Sequence, residues 1–112
     1  MKRSAPILGA CYSSRVRIIS RRALREFWER HTDAEQALRA WYAEAKSAEW
    51  QGPAEVKARF PTASLLAENR VIFNIKGNQY RLVVILRYDL GIISIRFVGT
   101  HAEYDRIDAQ TV

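Results

Sequence analysis

Between Asn69 and Asp105 the chain reads NRVIFNIKGNQYRLVVILRYDLGIISIRFVGTHAEYD, and this stretch holds most of its β-forming side chains. Val, Ile, Leu, Phe and Tyr dominate three runs, Arg70 to Ile75, Gln79 to Tyr88 and Ile92 to Val98. Lys76-Gly77-Asn78 and Asp89-Leu90-Gly91 separate them. Short glycine-containing connections between such runs make hairpins, so the stretch predicts a three-stranded antiparallel meander.

Side chains alternate across a strand, which divides each run into two faces. In the middle run Tyr80, Leu82, Val84, Leu86 and Tyr88 share one face, and Arg81, Val83, Ile85 and Arg87 share the other. In the first run Val71, Phe73 and Ile75 oppose Arg70, Ile72 and Asn74. In the third, Ile93, Ile95 and Phe97 oppose Ile92, Ser94, Arg96 and Val98. The expectation is that helices cover the apolar face and that the arginine-bearing face is only partly covered.

A chain of 112 residues with 48% hydrophobic side chains supports one modest core and leaves no room for a second domain. Its net charge of +6 suits a polyanionic partner, most simply nucleic acid, although an acidic protein or an anionic membrane surface would attract it too. Cys11 is the only cysteine, so no internal disulfide can form, and no run approaches the roughly 18 apolar residues of a membrane span. A reducing, cytoplasmic setting is the default expectation.

Residues 1–15 hold Lys2-Arg3 and then Leu8-Gly9-Ala10-Cys11, which superficially resembles a lipoprotein cleavage site. The apolar segment before it is short and interrupted by Pro6 and Gly9, too little for an export signal. The segment reads as a disordered extension, with a single domain over 16–112. Val16 to Ser20 suits a first strand, and Ser20 stands where a helix N-cap would be. Ala23, Leu24, Phe27 and Trp28 then fall on one helical face. Thr32 or Asp33 can cap a second helix reaching about Trp50, with Ala34, Ala37, Leu38, Trp41, Tyr42 and Ala45 as its stripe. The pair reads as a helical hairpin whose Trp28, Trp41 and Trp50 pack on the sheet rather than stack on bases.

Gly52-Pro53 breaks the chain, and Ala54 to Phe60 forms one or two turns bearing Lys57 and Arg59 before Pro61. Residues 61–69 read as a loop. Lys57 and Arg59 are candidates to join the strand arginines in one basic surface, or are simply a solvated pair. A final helical turn is expected around His101 to Asp108.

The order β-α-α-β-β-β is α+β, and two motifs within it resemble a family. Val71-Ile-Phe-Asn-Ile-Lys-Gly-Asn-Gln-Tyr-Arg-Leu-Val83 and Gly99-Thr-His-Ala-Glu-Tyr-Asp105 resemble, in order and spacing, the HigB toxins of bacterial toxin-antitoxin modules, a branch of the RelE-like messenger-RNA interferases. The start of the domain, Arg17-Ile-Ile-Ser20 followed by Ala23-Leu24 and Phe27-Trp28, is similar as well, so the resemblance spans roughly Val16 to Asp108. It implies a RelE-like fold: a small curved antiparallel sheet, a helical hairpin on one face and a short C-terminal helix. It also implies a ribosome-dependent endoribonuclease acting on mRNA in the ribosomal A site, neutralised by a HigA-type helix-turn-helix antitoxin and meeting operator DNA only through it.

The residues are compatible with that chemistry. RNA cleavage without a metal needs a base for the 2′-hydroxyl proton, cations to stabilise the phosphorane and an acid for the leaving 5′-oxygen. His31 and His101 are the only histidines, and no zinc spacing is present, so metal-free, cofactor-free cleavage is the simpler hypothesis. His101 precedes Tyr104 by three residues, which puts both on one side of a helical turn. His101 can transfer a proton or cap the terminal helix; Tyr104, a further catalytic candidate, can stack on a base, donate a hydrogen bond or pack in the core. Thr100 is another N-cap candidate. Arg81 is the leading phosphate ligand, with Arg87 and Arg96 beside it, because guanidinium forks onto two oxygens. Lys57, Arg59 and Asn78 complete the RNA-binding set, although Asn78 in a Gly-Asn turn also suits a purely backbone role. Two other classes stay open: a non-catalytic RNA-binding module, and a RelE-fold toxin acting on another target such as a topoisomerase.

Overall fold

The computed structural model describes residues 16–77 and 79–112. The extension over residues 1–15 and the turn residue Asn78 therefore lie outside the described residues.

Ten elements follow one another: β1 (Arg17–Ile19), α1 (Arg21–Arg30), a 3-10 turn (Thr32–Ala34), α2 (Glu35–Ala48), α3 (Pro53–Arg59), β2 (Ser64–Leu65), β3 (Arg70–Ile75), β4 (Tyr80–Arg87), β5 (Ile92–Thr100) and α4 (His101–Tyr104). The strands form one sheet in the order β1-β5-β4-β3-β2. The meander β3-β4-β5 is antiparallel as its hairpins require, and β2 adds to it antiparallel on β3. β1 joins β5 in parallel, so the sheet is mixed where an antiparallel one was expected. The reason is topological: the helical layer carries the chain from β1 across the sheet before β5 returns beside it. The short strand β2 lies within the segment read as a loop.

α1 and α3 begin where the sequence punctuates them. Ser20 occupies the N-cap position of α1 with extended backbone, but its side chain makes no capping bond. α2 starts later than expected, after the 3-10 turn, and Asp33 does not cap it. Pro53 opens α3 immediately after Gly52, where a missing N–H costs nothing.

Leu24, Phe27, Trp28, Leu38, Trp41 and Ala45 from the helices pack against Tyr80, Leu82, Val84 and Leu86 of β4, all buried. The helices thus cover the face predicted for them. Trp28, Trp41 and Trp50 are all buried, and Trp41, Trp50 and Phe60 surround Phe73 at ring-centroid distances of 5.4, 6.2 and 5.1 Å. Their role is packing.

One local irregularity changes the face assignment. Val83 pairs with Phe97 but Val84 pairs with Ile95, leaving Arg96 as an extra residue on β5. A bulge of this kind shifts the alternation by one, so side chains beyond it exchange faces. Val98 packs on the core with Ile93 and Ile95, and Phe97 leaves it for the face of Arg81. The grouping of Phe97 with Ile93 and Ile95, and of Val98 with the opposite face, is corrected accordingly.

Candidate nucleic-acid interface

The sheet end where β4 begins and β5 finishes collects most of the chemistry. Arg81 lies between Asn74 of β3 and Gly99 of β5. Immediately after Gly99, Thr100 caps α4: its hydroxyl accepts the Glu103 amide at 3.1 Å, and the Glu103 carboxylate accepts the Thr100 amide at 2.8 Å. Such a reciprocal box fixes a helix start. The T-x-x-E spacing was visible in the sequence, so Glu103 could have been named beside Thr100. The His101 amide donates to the Gln79 carbonyl at 3.2 Å, tying α4 to the β3–β4 hairpin.

Arg81 and Tyr104 are brought together. The Arg81 guanidinium carbon lies 5.7 Å from the centre of the Tyr104 ring, within cation–π range. Tyr104 in turn stands 6.5 Å from Phe97. Tyr104 and Phe97 are half-buried. His101 is half exposed on the first position of the same turn, its Nε2 3.5 Å from Asp105 Oδ1. A cation, an imidazole and two aromatic rings therefore share one end of the sheet face that α1 and α2 leave uncovered. Phe97 was missed because only the bulge brings it here.

Behind this end, on the helix side, Asp33 holds the hairpin. Its carboxylate accepts from the Tyr80 hydroxyl at 2.6 Å and pairs with Lys76 at 2.9 Å. The Tyr80 hydroxyl, then Lys76, hold the Asp33 carboxyl below the usual carboxylate range. The same bond, together with burial, pushes the Tyr80 phenol up. Tyr80 also meets the edge of Phe27, and His31 stacks on Phe27 at 4.4 Å.

The remaining candidates make other contacts. Lys57 donates to the Ala63 carbonyl, closing the loop after α3. Arg59 makes a two-pronged bond to Glu44 on α2, at 2.7 and 2.8 Å, in the helical layer. Arg87 ends β4, six residues and about 20 Å from Arg81. Arg96, on the bulge, donates to the Val112 carbonyl at 3.3 Å. Arg59 and Arg87 stand apart from the Arg81 cluster, whereas the loop that Lys57 closes also takes, at the Thr62 carbonyl, the side chain of Asn74, the cross-strand neighbour of Arg81.

The family model for HigB_toxin, described as the RelE-like toxic component of a toxin-antitoxin system, matches residues 34–107, about two thirds of the chain. No curated protein matches it closely enough to count as a relative.

Proposed function

Because the chain belongs to the HigB toxin family, whose members are the RelE-like toxic components of toxin-antitoxin systems, we propose that it arrests growth by cutting messenger RNA on the ribosome at the Arg81 end of the sheet. The observation that supports this reading is the placement of Arg81 over Tyr104, on the same helical turn as His101, on the sheet face opposite α1 and α2.

In the proposed reaction the 2′-oxygen attacks the adjacent phosphorus and loses its proton to a base. The 5′-oxygen leaves with a proton from an acid, giving a 2′,3′-cyclic phosphate and a free 5′-hydroxyl. Arg81 stabilises the charge on the pentavalent phosphorane, since a fixed guanidinium costs no reorganisation as that charge develops. His101 is the proton-transfer group, as base or acid. Tyr104 and Phe97 offer ring faces for a nucleobase beside the scissile phosphate. The partner is an antitoxin; a helix-turn-helix form of it, which alone would meet operator DNA, belongs to the same proposal. So does a cytoplasmic location, with which the lack of any helix long and apolar enough to cross a membrane among the described residues is compatible.

The test is single-turnover cleavage of a ribosome-bound message across pH, with thermal unfolding measured alongside. Arg81→Ala slows cleavage by about 100-fold or more while folding and antitoxin binding persist. His101→Gln costs about 100-fold to 10,000-fold and removes a limb of the pH–rate profile near neutrality. Full activity in a folded His101→Gln chain removes His101 from the mechanism. Growth arrest by a wild-type chain that leaves translated messages intact refutes the nuclease reading and points to another target, such as a topoisomerase.

A further inference from the structure

The strand register lays out the face opposite α1 and α2 row by row. Arg17, Ile92 and Arg87 are direct neighbours across β1, β5 and β4, and the next row is Ile19, Ser94, Ile85 and Arg70. Beyond the bulge come Phe97, Val83 and Ile72, then Gly99, Arg81 and Asn74. None of the five strands contains Asp or Glu.

Residues 101–112 cover the far part of this face. Tyr104 lies beside Phe97 and Arg81, and Arg70 donates to the carbonyls of Ala109 and Val112 at 3.4 and 2.6 Å. Beneath them Val83 is wholly buried and Ile72 nearly so. The near part has a different character. Ile19 is 50% exposed, Arg17 is exposed, and the Arg87 side chain is 51% exposed with only a 4.0 Å approach to Asp89. Ile85 and Ile92 are half-buried between them.

We propose that this bare part of the sheet is where the antitoxin docks, through a segment that sets carboxylates on Arg17 and Arg87 and an apolar side chain between them on Ile92 and Ile19. The proposal rests on membership of the toxin family and not on the RNA chemistry. Two cations separated by two strand spacings stand about 10 Å apart. Acidic residues seven apart on a helix match that distance. Guanidinium pairs carboxylates with two parallel bonds, and arginine is enriched in protein interfaces. Nucleic acid fits this part less well: the isoleucines offer nothing to a phosphate, and the stacking rings Phe97 and Tyr104 stand at the other end of the sheet.

The probe is the antitoxin obtained by co-expression with the full chain. Arg17→Glu combined with Ile19→Glu removes one cation and one exposed apolar contact, both on β1 and both outside the cleavage site. The expected result is an antitoxin Kd raised about 100-fold with a weaker salt dependence of association, and unchanged cleavage of translated message. Wild-type affinity in this variant overturns the proposal. Retained antitoxin affinity with lost ribosome binding makes the face an RNA surface instead. Should the double variant unfold, hydrogen exchange of the wild-type chain decides: added protection of β1 and of residues 92–94 in the complex supports the proposal. Equal protection in the free chain would put a segment of the chain itself on the face and overturn it. A wild-type chain that binds the antitoxin but cuts no message sinks the nuclease reading and leaves this one standing.

Discussion

Gly99→Ala tests whether the geometry at the end of β5 controls the site. A Cβ at this position would sit 2.5 Å from the tip of the Phe97 ring and 2.8 Å from a Glu103 carboxylate oxygen. The strand backbone accepts alanine, and both clashes are with the far ends of side chains, so pairing with Arg81 survives while the ring and the carboxylate give way. Turning Phe97 off its rotamer costs about 0.5–1.5 kcal/mol. Losing the Glu103 half of the capping box costs about 0.5–1 kcal/mol more. The sum, roughly 1–2.5 kcal/mol, is a sizeable share of the ~5–15 kcal/mol that holds a domain folded and, at about 4–8 °C per kcal/mol, corresponds to a drop in Tm of ~4–20 °C. Activity should fall further than stability. Both strained groups set the start of α4, and a displacement of ~1 Å in a positioned group costs about 100-fold in rate. The assays are thermal unfolding by circular dichroism and single-turnover cleavage below the melting range. Adding Phe97→Leu, which shortens the clashing side chain, should recover part of the lost stability. A Gly99→Ala chain that melts and cleaves like wild type would refute the steric account of this strand end.

Three further predictions concern the core and the hairpin anchor. Phe73→Ala, at a 1% exposed position surrounded by Trp41, Trp50 and Phe60, should destabilise the fold by about 3–5 kcal/mol and shift tryptophan emission to the red; denaturant titration followed by fluorescence checks both. Asp33 has a depressed carboxyl, so its contribution to stability is present above the ordinary value of 3.8 and is lost as pH falls through the lowered folded value. Asp33→Asn should therefore flatten the fall of Tm as pH drops below about 4, and identical slopes in variant and wild type would rule out the Asp33 anchor. The Tyr80 phenol carries the opposite sign, its contribution being present below the ordinary value of 10.0 and lost as pH rises through the raised folded value; Tyr80→Phe should melt with a shallower alkaline slope.

Periodicity alone determined much of this protein. The alternation in β4 separated a face to be buried from one carrying Arg81 and Arg87, and the helical stripes named Leu24, Phe27, Trp28, Leu38 and Trp41 as the layer that buries it. Local spacing also placed His101 and Tyr104 together on one turn after Thr100. These features follow from bonds and sterics within a few residues. What local pattern does not carry is pairing at a distance. The parallel seat of β1 beside β5, and the two-residue strand β2, depend on partners more than 70 residues away in the first case and on the edge β3 offers in the second. The bulge at Arg96 depends on β4 lying opposite, and that one extra residue moved Phe97 from the expected core to the rim of the site. Asp33 read as a helix cap, yet Tyr80 and Lys76, 47 and 43 residues further on, took its carboxylate. The arginines were equally legible as cations and illegible as ligands, because Glu44, Val112 and Tyr104 reach Arg59, Arg96 and Arg81 only once the chain is folded.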